Sequence, residues 1–341
     1  MYHGGRRMKK FLFVSVCLLI AVSTVMVSAQ DKSGKSWVLK YNQLEPPGHP
    51  QGVTQSKFAE KIEELSGGQI KVRVYASGSL FTQQGEVTAM MNGSLELSTL
   101  AFQDMSPYLP EAAMFAAPYI FTSYDHMKKV FAPDSEVAAD FYKRVSEKCG
   151  YTPLAAMTQG MRVINTKWTK PIVTPEDMKG MILRMPNAPA WIDAGRSLGA
   201  EVTPIAYSEV YTALQTGTVD AQDNPLPGTY AMKFYEVTKQ ISLTRHIIDV
   251  KLLCVTNKVW NALTPLQQQW MREAAQYACE QGSNVTFKQE AELLEFMKNY
   301  GMIITEPDIN AFQQYSFKYY QDHGLTKDWD MDLYKKVQAL K

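Results

Sequence analysis

A chain of 341 residues that is 45% hydrophobic and 20% charged is long enough for two cores of ordinary size and too apolar to stay disordered. Its 35 Lys and Arg stand against 34 Asp and Glu, so no basic field exists to hold nucleic acid or an anionic lipid surface. Any anion it binds must be held by a few placed cations, and a nucleic-acid partner is not expected.

Residues 1–29 read as an export signal. Arg6, Arg7, Lys9 and Lys10 form a basic head, residues 11–22 an apolar middle, and Val27, Ser28 and Ala29 a small-residue cleavage site. The apolar run is too short for a membrane span. Cleavage after Ala29 leaves 31 Lys and Arg against 34 Asp and Glu, a net charge of −3. Cys149, Cys254 and Cys279 remain, so at most one disulfide forms, and no CxxC pair exists. The five histidines are scattered and show no HExxH, so neither a metal nor a cofactor is expected.

Residues 37–41 alternate like a strand, and residues 45–50 are a turn-rich loop. Residues 53–65 have helical periodicity, with Phe58, Ile62 and Leu65 on one face. A strand over 70–75, a helix over 83–91 and a strand over 95–100 complete a β-α-β-α-β run, the pattern of a mainly parallel sheet flanked by helices. In such sheets ligands meet the loops at the strands' carboxyl ends, which nominates residues 42–49, 77–84 and 99–104. Helices are expected over 123–131 and 136–149, and a strand over 152–157. A short helix capped by Thr174 precedes an apolar strand, Met181 to Leu183, that ends in Arg184. Helices over 190–198 and 206–215 lead to a polar turn over 220–224. A strand over 250–256 comes next, then a helix from Thr264–Pro265 to about residue 300, some 55 Å long at 1.5 Å per residue. Gly282–Ser283 is its weak point, and two further helices fill residues 303–341.

The stretch Lys179-Gly180-Met181-Ile182-Leu183-Arg184, followed by ALQTGTVDAQDNP over residues 213–225, resembles the second-domain signature of TRAP-type (tripartite ATP-independent periplasmic) solute-binding proteins, the DctP family. PEAA at 110–113 and Ala117-Pro118-Tyr119 match the same family. The resemblance implies that Arg184 clamps a ligand carboxylate, that Asn224 adds a contact, and that Arg162, in a Gly-x-Arg at 160–162, is the partner of Arg184. Two bare guanidiniums would repel each other until the anion arrives and makes closure favourable. Tyr207 falls where relatives often carry an aromatic against the ligand. Asn187 and Trp191 fall where some members carry polar groups, and Trp191 serves either as core filler or as a flat pocket wall. Gln83 lies in one of the strand-end loops. The sialic-acid branch, the closest in pattern, carries an asparagine and a glutamate where this chain has Leu44 and Ala101.

The implied fold is α/β and two-lobed, each lobe a mainly parallel sheet flanked by helices, with one long helix spanning both. Residues 30–159 and 248–287 would form the first lobe, and residues 160–247 and 288–341 the second. The implied function is an extracytoplasmic receptor in the periplasm that closes on a small organic acid and delivers it to TRAP permease membrane subunits. Leu44, Ala101 and Trp191 suggest dry walls, hence a monocarboxylate or aromatic acid first, a uronate or other sugar acid second and a C4-dicarboxylate third. Two rival readings share the scaffold: a ligand-sensing subunit for a membrane kinase, and an exported enzyme. Against the enzyme, the chain has no GxSxG, SxxK, P-loop or GxGxxG.

Overall fold

The computed structural model describes Met1 and residues 35–341, so the expected export signal lies outside the described residues. The first sheet is built from β1 (Trp37–Asn42), α1 (Pro50–Leu65), β2 (Ile70–Tyr75), α2 (Gln83–Asn92) and β3 (Leu97–Ala101), as the alternation of periods implies. Pro50 sits in the first turn of α1, where its missing N–H costs nothing, and His49 accepts from the Gln51 amide. Thr82 caps α2, and Gly93 ends it at φ 73°, a left-handed position that glycine takes without a Cβ clash. Helices α3 (Tyr124–Val130) and α4 (Glu136–Cys149) then lead into β4 (Tyr151–Met161).

From β4 the chain runs, with only Arg162 between, into β5 (Val163–Thr166) of a second sheet. That sheet takes in β6 (Ile182–Met185), α5 (Pro189–Arg196), β7 (Glu201–Pro204), α6 (Val210–Thr216), β8 (Ala221–Asn224) and β9 (Gln240–Ser242). The return strand β10 (Ile248–Thr256) rejoins the first sheet. The first sheet has the order β2-β1-β3-β10-β4, and the second β11-β9-β5-β8-β6-β7, where β11 is Ile303–Thr305. In the first sheet β1 pairs parallel with β2 and β3, while β10 runs antiparallel to β3 and β4. In the second, β5 runs antiparallel to β8 and β9, and the other pairs are parallel. The antiparallel members are the strands that carry the chain between the sheets, and the Arg162 amide bonds the Ile247 carbonyl at 2.8 Å where outward and return strands pass.

Helix α7 (Pro265–Asn299) is one uninterrupted element of 35 residues, capped by Thr264 and Gln267. Gly282 does not break it. A Cβ there would fall inside the van der Waals sphere of Thr54 Oγ1 and 3.0 Å from the Pro50 carbonyl, so glycine is what lets α1 cross so close. One turn further on, Thr286 donates to the Thr158 carbonyl at 2.8 Å, and Ser283 accepts from the Thr158 amide at 3.1 Å, stitching α7 to β4.

Three local expectations differ from what is observed. Residues 221–224 form a fully buried strand instead of a turn. The capped segment after Thr174 is a single 3-10 turn, and Tyr207 opens another ahead of α6. After α8 (Ile309–Asp322), the last helix, α9 (Met331–Gln338), lies on the first lobe, not the second. Leu333 and Val337 join the core of Phe141 and Val145, and Arg144 Nη1 donates to Asp330 at 2.7 Å. Apolar side chains at the helix's two core-facing positions explain that choice.

Candidate functional site

The ends of β1, β3, β6 and β8 converge on two connected chambers. The outer one, about 620 Å³, is lined by Leu44, Gln83, Gln84, Asp104, Asn187, Ile205 and Tyr207 among others. The inner one, about 30 Å³, adds Gln51, Glu86, Thr99, Gln159, Arg162, Trp191, Asn224 and Lys251. Leu44, Gln83, Asp104, Arg184 and Tyr207 border both.

Arg184 is the cation at the junction. The pleat of β6 turns it inward, 1% exposed, and its Nε donates to the Ile205 carbonyl at 2.9 Å. Nη2 is buried with no partner, and among the described residues no carboxylate lies within ion-pair distance. Burial pushes its pKa down to about 10, and the nearby charge of Arg162 adds to that, but it stays cationic at neutral pH. The Tyr207 ring lies 5.8 Å from the guanidinium carbon, and the Tyr207 hydroxyl is likewise buried without a partner.

Arg162 stands in the crossing segment and is not bare. Its Nε and Nη2 make a bidentate bridge to Asp223 at 2.5 and 2.9 Å, Nη1 meets Asp249 at 2.5 Å, and Trp191 stacks 4.5 Å away. Burial opposes its charge, but the two aspartates outweigh that and raise its pKa further. Asp223 is held well below the ordinary carboxylate range: burial would lift it, and Arg162 and His246 more than reverse the effect. His246 Nε2 lies 3.2 Å from Asp223, and burial keeps that imidazole's pKa below 6.5. The expected pair of mutually repelling bare cations is therefore corrected: two acids already hold Arg162, and of the two guanidiniums it is Arg184 that has an unpartnered donor.

Asn224 borders the inner chamber, accepting from Arg162 at 3.3 Å and donating to Gln222 at 2.5 Å. Trp191 fills both roles left open for it. It is 1% exposed in an apolar cluster with Leu183 and Met185, yet its face lines the chamber and its Nε1 reaches Asp104 at 3.3 Å. Gln83 donates to both Asp104 oxygens at 3.0 and 3.1 Å. Asn187 is at the exposed outer rim, its carbonyl accepting from Gln84 at 2.8 Å, and with the Trp191–Asp104 bond this ties one lobe to the other. Leu44 lines both chambers. Ala101 is packed in the apolar cluster with Trp191, which itself lines the inner chamber.

Asp104 falls in the nominated loop 99–104, but sequence reasoning missed Asp223, Asp249, Lys251, Gln51, Gln159 and Glu86. A signal existed for two of them, since Asp249 and Lys251 interrupt an otherwise apolar strand on one face. Lys251 lies 3.6 Å from Asp249 and 5.7 Å from the Trp191 ring. The three cysteines are buried and unbridged, and among the described residues no group of His, Cys, Asp or Glu has metal-binding geometry. No helix of the described residues is long and apolar enough to cross a membrane.

A family model described as bacterial extracellular solute-binding protein, family 7 (DctP), matches residues 41–327. The sialic acid-binding periplasmic protein SiaP of Vibrio cholerae is 30% identical over 295 residues, covering 86% of this chain and 91% of its own. A TRAP periplasmic solute-binding protein of Roseobacter denitrificans, solved with bound 3-deoxy-D-manno-oct-2-ulosonic acid, superposes with a TM-score of 0.85 at 34% identity, over 90% of this chain and all of that one. A second, from Bordetella bronchispeptica with density assigned to pantoate, has a TM-score of 0.83 at 27% identity over the same shares.

Proposed function

The chain belongs to the DctP family of bacterial extracellular solute-binding proteins, the TRAP receptors for small organic acids, and on that premise we propose that its cargo is a hydroxylated sugar acid whose carboxylate sits on Arg184. The observation that carries this reading is the buried Arg184 guanidinium, whose Nη2 has no protein partner while its neighbour Arg162 has two acids. A carboxylate there gains charge-assisted hydrogen bonds of about 1.5–3 kcal/mol each. Two of them supply much of the ~8 kcal/mol of a micromolar site.

The walls support a hydroxylated cargo and reverse the order expected from Leu44, Ala101 and Trp191. Gln51, Gln83, Thr99, Asp104, Gln159 and Lys251 surround the chambers. These groups partly satisfy one another, and an aromatic acid would leave their remaining hydrogen-bonding capacity without water or a partner. Sugar hydroxyls replace the lost hydrogen bonds. The outer chamber, about 620 Å³, lies in the usual range for small-molecule sites. Closure follows because the cargo contacts both lobes, and the closed form is what a TRAP permease would receive.

Thermal shift and calorimetry with 3-deoxy-D-manno-oct-2-ulosonate, D-galacturonate, pantoate, benzoate and succinate test the reading. A sugar acid at a thousand times its Kd should stabilise the protein by about 4 kcal/mol and be recovered unchanged. Tighter binding of benzoate than of any sugar acid would overturn the cargo class, and no carboxylate binding at all would overturn the role of Arg184.

A further inference from the structure

Glu86 is a carboxylic acid in the wall of the inner chamber. It projects from α2, is 1% exposed, and puts both of its protein hydrogen bonds on one oxygen. Asn42 Nδ2 and Ser98 Oγ each donate to Oε2 at 2.7 Å. Asn42 is itself locked, accepting from the Phe81 amide and donating to the Phe81 carbonyl, so the carboxyl cannot swing to share its load. Oε1 is buried and has no partner among the described residues. An orphaned carboxyl oxygen in a binding cavity is costly unless something other than the protein satisfies it.

We propose that Glu86 Oε1 is a cargo-recognition atom, donating a hydrogen bond to an oxygen of the sugar acid other than the carboxylate on Arg184. The proposal rests on the sugar-acid reading above. With both donors aimed at Oε2, the acid proton belongs on Oε1, the unpartnered oxygen of a side chain that lines the inner chamber. Burial keeps that proton on, lifting the pKa to about 8; Asp104 adds to the rise, while Asn42, Ser98 and Lys251 limit it. The other titratable groups facing it are Tyr41 on β1 and Cys254 on β10, both raised by burial and so neutral at pH 7. A neutral donor can approach an anionic cargo without repelling it. A glutamate anion in the same wall could not donate, and it would face the cargo's negative charge.

Selectivity follows from the same atom. An acid with an acceptor oxygen in reach of Glu86 satisfies Oε1, whereas a hydrocarbon tail leaves it stranded. The sign of the pH effect is fixed too: the donating form exists below pH about 8 and is lost above it.

Calorimetric titrations of the full chain with 3-deoxy-D-manno-oct-2-ulosonate and with D-galacturonate, from pH 6.5 to 9.5, test this for wild type, Glu86→Gln and Glu86→Ala. Wild-type Kd should weaken about tenfold per pH unit above pH 8. Glu86→Gln, whose amide does not titrate, should show no such slope; any slope from Arg184 is common to both proteins and cancels in the comparison. Glu86→Ala should bind more than about tenfold more weakly at pH 6.5; should it fail to fold, the slopes of the other two proteins decide. Identical slopes in wild type and Glu86→Gln refute the proposal and leave the sugar-acid reading intact. Wild type binding neither acid at any pH refutes that reading, and the role of Glu86 with it.

Discussion

Alanine at Arg184 and alanine at Arg162 should fail in opposite ways. Arg184 in the empty protein is a buried cation without an ion-pair partner, its pKa lowered from 12.5 to about 10. Holding that charge costs on the order of 3 kcal/mol, so Arg184→Ala should leave the melting temperature of the free protein unchanged or raise it. Cargo binding is another matter. The incoming carboxylate would be buried beside a vacated site, and losing one member of a buried hydrogen-bonded charge pair costs about 2–5 kcal/mol. That is a weakening of roughly 30-fold to several thousand-fold.

Arg162→Ala instead leaves Asp223 and Asp249 buried, both 1% exposed or less, with their shared guanidinium gone. Breaking a buried ion pair by removing one partner costs about 3–5 kcal/mol of folding stability. At about 2–4 °C per kcal/mol for a large domain, the melting temperature should fall by roughly 6–20 °C. Differential scanning fluorimetry of the cargo-free proteins, with calorimetric Kd values for 3-deoxy-D-manno-oct-2-ulosonate, separates the two. If Arg184→Ala binds within threefold of wild type, or melts as low as Arg162→Ala, the division of labour between the two arginines is wrong.

Gly282→Ala should cost about 1–3 kcal/mol through overpacking, because the added methyl collides with Thr54 at the crossing of α1 and α7; adding Thr54→Ala should restore most of the melting temperature, and an unaffected single variant would show that the helices do not cross so closely. Acid should weaken the fold in two windows. His246 is buried and its pKa lies below 6.5, so the folded state binds fewer protons there than the unfolded chain, and stability present above pH 6.5 is lost as pH falls through the folded value. His49 titrates in the same direction, again through burial. Asp223, held low by Arg162 despite its burial, contributes a second loss only below about pH 4. His246→Gln should flatten the melting-temperature profile between pH 6.5 and 5, and an unchanged slope would count against the His246 part of this account.

The scaffold was legible because its signals are local. Period-two strands at 37–41 and 70–75, the cap at Thr264, and prolines at helix starts all act within a few residues. The uninterrupted run of α7 was less so, because whether a glycine breaks a helix or admits a neighbour depends on Thr54, far away in sequence. Strand β8 was read as a turn because Ala221-Gln222-Asp223-Asn224 carries no apolar alternation, and all four are nonetheless buried. Arg184 was legible from its strand end and from family resemblance. The neutralised state of Arg162 was not, since its acids lie 61 and 87 residues onward.

The misread wall chemistry has the same origin, and it shows where to look in such a chain. Leu44, Ala101 and Trp191 suggested a dry cavity, but the polar lining comes from α1, α2, β4 and β10, which meet only in three dimensions. Two of the lining residues break their own strand's pattern, Gln159 in β4 and Lys251 in β10, and Asn224 ends the polar strand β8. Burying such groups costs about 1–3 kcal/mol apiece unless they are paired, so a fold selected for stability alone would have replaced them with Val or Leu. Those that are paired, Asp223 and Asp249 on Arg162, position the crossing strands. Among the residues lining the inner chamber, Arg184, Tyr207, Glu86 and Glu45 each keep a buried polar atom without a partner. On the proposals above, the cargo would meet the unpartnered atoms of Arg184 and Glu86, whereas the guanidinium of Arg162 is already held by two acids.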